Sequence, residues 1–170
     1  MSAPSPLFPQ TSAFHWLNPE ELTSPLLQAA VSYWRKLRGD RPFPSREELK
    51  PRDMQTFLSR ISLVKVIDGG ADFEHRIVGD AMVQAFNVPL QNRRFTDIAK
   101  DAPEWIEHCL PLFRKVVDTG KPVAWYVRRG SEADFAVFSE AETILLPLGR
   151  TPPVVDHIVA FGVHAAKMMR

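Results

Sequence analysis

Between residues 61 and 79 the apolar positions fall at the spacing of extended chain. Ile61 to Asp68 and Asp72 to Gly79 are rich in Ile, Val and Phe, and the turn residues Gly69 and Gly70 lie between them. This pattern predicts a hairpin. From Asp80 to Gly120 the period lengthens to that of helix, and three more strand-like runs follow near Pro122 to Arg129, Phe135 to Leu148 and Val155 to Ala165. Helices interrupt the strands only once. The order predicts an α+β domain built on a five-stranded, mostly antiparallel sheet with helices on one face, spanning residues 61–170.

Before the sheet, Ser24 and Pro25 form a helix start, and Leu26, Leu27, Ala30, Val31, Trp34 and Leu37 recur at helical spacing up to Gly39. A second short helix is predicted from Pro51 to about Arg60, so residues 24–60 form an N-terminal helical extension. Residues 1–23, with Pro4, Pro6, Pro9 and Pro19 among Ser, Thr and Gln, read as a flexible tail. Within it Phe14, His15, Trp16 and Leu17 are apolar enough to dock on the domain. In the middle region Asp101 and Glu104 have the spacing of a capping box. Ile106, Cys109, Leu110, Phe113, Val116 and Val117 form one stripe of the helix that follows, with Pro111 expected to kink it and Gly120 to end it.

Composition narrows the classes. The 170 residues are 45% hydrophobic, enough for a single buried core. Twenty-one Lys and Arg against twenty Asp and Glu leave a net charge of +1, so no overall field draws the chain to nucleic acid or an anionic membrane. A single cysteine, Cys109, excludes an internal disulfide and a multi-thiolate metal site. No apolar run reaches membrane-spanning length and Met1 to Pro9 lacks a signal-peptide pattern, so the expected location is the cytoplasm.

The run from Tyr33 through Trp34, Arg35, Lys36, Leu37, Arg38, Gly39, Asp40, Arg41, Pro42 and Phe43 to Pro44 resembles the opening signature of a bacterial family of short, stand-alone PAS-like proteins. Phe73 to Gly79 resembles that family's second-strand motif, and Leu145 to Leu148 with Asp156 to Ile158 resembles its last two strands. The likeness runs in pieces from Val31 to Ala165. It implies a PAS fold without a kinase, cyclase or DNA-binding output, and a signal passed by docking to other proteins. Such proteins often pair through a flanking helix. Leu26, Leu27, Val31, Trp34 and Leu37 are therefore the expected dimerisation stripe, and a homodimer is expected.

Candidate chemistries divide by what fills the interior. Gln91-Asn92-Arg93-Arg94-Phe95 resembles a flavin-photoreceptor motif, but Arg93 stands where the reactive cysteine belongs, and both arginines read as solvated loop charges. Haem would need a helix histidine. His108 lies off the apolar stripe and is expected at the surface, and His75, His157 and His164 lack spaced carboxylate or thiolate partners. No cofactor and no metal are expected. His108 and Cys109 are sequence neighbours on a helix and point about 100° apart, wrong for a thiol–imidazole pair. Asp134, Glu140 and Glu142 read as a solvated strand face, and of Arg128 and Arg129 at most one can face a ligand. Phe86, Cys109, Phe113 and Trp125 are the expected pocket, open to a small apolar ligand. The reading is a non-catalytic sensory or regulatory module acting through a ligand, a signalling partner or both. The alternative is a small α+β cone enzyme of the ketosteroid-isomerase type acting on an apolar substrate.

Overall fold

Residues 13–128 and 138–166 are described by the computed structural model; Arg129, Asp134, the start of the tail and the start of the fourth expected strand run lie outside them. In chain order the elements are β1 (Ala13–Leu17), α1 (Pro25–Arg38), β2 (Ile61–Ile67), β3 (Asp72–Val78), α2 (Asp80–Ala85), α3 (Phe95–Ile98), α4 (Pro103–Thr119), β4 (Val123–Arg128), β5 (Phe138–Leu148) and β6 (His157–Ala166). The strands form one sheet in the order β1-β4-β5-β6-β2-β3, antiparallel at every pairing. The two-then-three arrangement is present. The sheet has six strands instead of five, because the apolar cluster at Phe14 to Leu17 pairs with β4 as an added edge strand.

Register assigns each side chain a face. On β5, Ala141, Thr143 and Leu145 point one way and Glu142, Ile144, Leu146 and Leu148 the other, and both sets are mostly buried. The odd-numbered face lies under α2, α3 and α4. The even-numbered face is covered by α1, which touches β5 and β6. Trp34 Nε1 donates to the carbonyl of Pro147 at 2.9 Å. Pro147 is tolerated inside β5 because β4 ends opposite Leu145, so no neighbouring strand needs its missing amide on that side.

The helix ends follow local chemistry in part. Ser24 Oγ accepts from the Leu27 amide at 3.4 Å, and Gly39 at φ 57° ends α1. Between Pro51 and Arg60 the expected helix is replaced by two 3-10 turns, Pro51–Asp53 and Leu58–Arg60. Met54, Phe57 and Ile61 are all buried at the spacing of a helix face, although the chain reaches the core through separate tight turns. The capping box at Asp101 is also absent. Ala102 is the N-cap of α4, and Asp101 pairs with Arg93 instead. Pro111 sits inside α4, which continues to Thr119.

The stripe expected to face a second chain is used within the same chain. Leu27, Val31 and Trp34 are buried on the sheet, and only Leu26 and Leu37 of the five keep partial exposure. Glu142 fixes the start of this helix. Its carboxylate, 8% exposed, accepts from the Thr23 amide and hydroxyl and from the Ser24 amide, all within 3.1 Å. The solvated strand face expected at Glu140 and Glu142 is thus, at Glu142, a buried anchor on amides that precede the first helical turn.

Two outcomes follow from this packing. Leu27→Glu with Val31→Glu is expected to abolish cooperative unfolding instead of releasing a folded monomer, since two charges would enter the core, each costing several kcal/mol; a sharp urea transition in the double variant contradicts the packing. Glu142→Ala should cost about 2–3 kcal/mol, the loss of charge-assisted bonds. Hydrogen exchange should then quicken first at residues 23–30.

Candidate functional site

Between the sheet's odd-numbered face and the helices lies a cavity of about 60 Å³. The sheet supplies Trp125, Ala141, Thr143, Leu145 and Ala160 to its wall, together with Ser62, His75 and His164. From the helical layer come Met82, Phe86, Phe95, Trp105, His108, Cys109 and Phe113. All four residues proposed from the sequence, Phe86, Cys109, Phe113 and Trp125, meet around this one space. Three histidines join them that the sequence reading set aside.

Leu63 pairs with Ile77 and Val64 with His75, so Arg76 is an extra residue opposite no partner, and this bulge turns Ile77 to the other face, where it is exposed. Counted from the turn, Phe73 pairs with Val66 and His75 with Val64 with no shift between them, which puts His75 on the face of Ser62, Val64 and buried Phe73. There Ser62 Oγ and His75 Nδ1 are 2.8 Å apart. The outer edge of β3 is closed at this point by the loop before α3: the His75 amide donates to the Arg93 carbonyl at 3.0 Å, and the Asn92 amide to the His75 carbonyl at 2.8 Å. Arg93 is not a solvated loop charge. It bonds Asp97 at 2.8 Å, Asp101 at 2.7 Å and the Pro89 carbonyl at 2.7 Å, which holds this loop in place.

His108 lies 4% exposed, against the surface position expected of it. Strand β1 is the reason. By widening the sheet it carries Phe14 beneath the flank of α4, and Phe14 and Trp125 both meet the imidazole edge-on, with centroids 5.4 and 6.1 Å away. His164 sits beside Phe86 at 5.8 Å. Gly162 makes room for it, since a Cβ there would approach His164 Cε1 to 2.8 Å and Met82 Sδ to 3.4 Å. His157 is outside the cavity and pairs with Asp156 at 2.8 Å.

The electrostatics of the site are those of a dry pocket. Burial pushes His75, His108 and His164 down from 6.5 to about 4, with Arg60 adding to the effect at His164. All three are neutral at pH 7. Burial pushes the Cys109 thiol up, so it stays protonated and is no nucleophile. Among the described residues no group of three or more His, Cys, Asp or Glu is placed to hold a metal ion. Aromatic rings form much of the remaining wall: Phe86 and Trp105 lie 4.5 Å apart, and Trp105 stacks on His75 at 6.2 Å. Such a space suits a small neutral molecule.

The alternation of His75 and His164 with apolar neighbours on strands is the sequence signal for an inward histidine. The lack of spaced metal partners bears on metal binding and says nothing of burial.

Residues 22–163 match the profile of the PAS domain family, and the chain belongs to that family. Comparison with curated proteins and with solved structures finds no match.

A buried neutral histidine sets a direction for pH dependence. Each of the three has a folded value below its unfolded value, so between pH 6.5 and about 4 the unfolded chain binds protons that the folded chain refuses. Stability is full above pH 6.5 and falls on acidification through this window, by up to about 1.4 kcal/mol per pH unit for each histidine. Urea titrations across the window measure the slope. His108→Phe should flatten it, and a slope unchanged by that variant contradicts the neutral, buried assignment.

Proposed function

We propose that this PAS domain protein is a non-catalytic sensory or regulatory module in signal transduction, whose interior cavity takes a small ligand and whose surface passes the signal to a protein partner. The observation that carries the reading is the cavity itself. A core sealed only for stability would be packed to the density of a crystal, whereas here sixteen residues of the sheet and the helices leave about 60 Å³ between them. A cavity of about 150 Å³ accepts benzene, and a water molecule takes about 30 Å³. The size therefore selects a ligand of a few heavy atoms, and excludes a flavin or a haem without a large movement of the wall. Met82, an adaptable side chain, and half-buried Phe86 are the parts of the wall that yield most easily.

One observation favours an enzyme, the buried Ser62–His75 pair, which resembles a nucleophile beside its base. Three features weigh against catalysis. A histidine held at about 4 is a poor base at neutral pH. Among the described residues its second nitrogen has no carboxylate to orient it. Backbone amides of the sheet around Ser62 are committed to β3 and β6, leaving none for an oxyanion. The cone-enzyme alternative needs catalytic polar groups that this pocket does not assemble.

Partner contact, with a second copy or with a signalling protein, falls outside the buried stripe of α1 in this reading. A cytoplasmic location belongs to the same proposal; among the described residues no helix is long and apolar enough to cross a membrane.

Thermal-shift screening of small neutral molecules tests ligand uptake. Ala141→Val puts two added methyl groups into the cavity and should keep the fold, with a stability change of about 1–3 kcal/mol at most. It should remove every melting-temperature increase that the wild type shows. A ligand that still stabilises the variant as strongly binds elsewhere and refutes the cavity as the sensing site.

A further inference from the structure

We propose that the cavity recognises a small neutral molecule by an acceptor oxygen of carbonyl type, which receives a hydrogen bond from Nε2–H of His75. This inference rests on the ligand-binding reading and adds the polar contact that would set its specificity.

The Ser62 hydroxyl is buried, and among the described residues its only side-chain partner is His75 Nδ1 at 2.8 Å. Two arrangements of the shared proton are possible. If Nδ1–H donates to Ser62, the hydroxyl proton has no acceptor and the Nε2 lone pair has no donor, so two buried groups go unmet. If Ser62 donates to Nδ1, the ring carries its own proton on Nε2 and one group alone is unmet. Buried polar groups are nearly always satisfied, so the arrangement with fewer orphans prevails. That arrangement leaves Nε2–H, which has no partner among the described residues, on a side chain 3% exposed.

His75 lines the cavity, and its ring is packed in place there. Trp105 stacks on it at an interplanar angle of 22°, and Phe95 lies 5.2 Å from it on a tilted plane. Its backbone is fastened on both edges, to β2 and to the loop at Asn92 and Arg93. The donor is therefore held ready before any ligand arrives. Burial keeps the ring neutral at pH 7, and among the described residues the cavity wall includes no carboxylate, lysine or arginine. A charged ligand would enter without a counter-ion, and a pure hydrocarbon would leave the donor unmet. A neutral molecule with one acceptor oxygen answers both conditions.

Acetone and 2-methylpropene have the same shape, with oxygen in one replaced by a methylene group in the other. With nitrogen-15-labelled full-length protein at neutral pH, long-range proton–nitrogen NMR reads the His75 tautomer, and titration with each probe reads its affinity. Expected are the Nε2–H tautomer, perturbation of Cys109, Phe113 and Trp125 signals by both probes, and saturation by acetone at about tenfold lower concentration. The Nε2–H resonance should move with acetone alone. In Ser62→Ala, and in His75→Phe, the preference should fall toward unity while 2-methylpropene still binds. An Nδ1–H tautomer, equal affinities in the wild type, or acetone binding that leaves Nε2–H unmoved, as when trapped water already accepts the bond, overturns the inference and leaves the ligand cavity standing. If neither probe perturbs the cavity signals, the ligand reading falls and this inference falls with it.

Discussion

Strand β5 lies buried on both of its faces, and that burial sets the positions of nearly everything else. Its even-numbered residues receive α1 and its odd-numbered residues form the floor of the cavity. A strand in this position has no solvated side on which to place a polar residue at no cost. Glu142 therefore survives there only because two backbone amides and a hydroxyl, at Thr23 and Ser24, surround its carboxylate. The same bonds fix where α1 begins. They also couple the chain's N-terminal helix to the middle of the sheet across more than a hundred residues of sequence, so the helical extension and the sheet share one core.

On the other face the governing device is the register of the β2–β3 hairpin. Counted from its turn, Phe73 and His75 share the inward face, which brings His75 beside Ser62. The extra residue at Arg76 acts beyond them and turns Ile77 outward. The His75 imidazole keeps one nitrogen, Nε2, without a partner among the described residues. The loop at Asn92 and Arg93 completes the arrangement by hydrogen bonding to the backbone of the same residue, and Arg93 in turn is fastened to Asp97 and Asp101. A residue pattern that looks like a fragment of a photoreceptor motif thus has a plain mechanical role as a brace.

The rings of Phe86, Trp105, Phe95 and Phe113 crowd the helical side of the cavity. The space of about 60 Å³ that remains has neutral imidazoles, Ser62 and Thr143 as its polar groups. Neutrality is itself a consequence of burial, since desolvation is the first cause of the depressed values of all three histidines. Acidification thus strains the site and the fold together.

The sequence alone determined the α+β class, the two-then-three strand order, the start and stop of α1 at Ser24 and Gly39, and the inward side of four residues, Phe86, Cys109, Phe113 and Trp125, among the many apolar ones that line the cavity. These are local properties. Period, caps and turn glycines act within a few residues of chain, so they can be read without knowing what lies opposite. Tertiary structure alone decided the sixth strand, the burial of the α1 stripe, the anchoring of Glu142 and the entry of His108 into the interior. Each of these depends on a partner far away in sequence: β4 for β1, the sheet for Leu27 and Trp34, Thr23 for Glu142, Phe14 for His108. A histidine on the flank of a helix reads as exposed until a strand arrives to cover it. A one-residue bulge such as that at Arg76 changes the face of the residues beyond it and leaves no mark on the hydrophobic period clear enough to be read in advance.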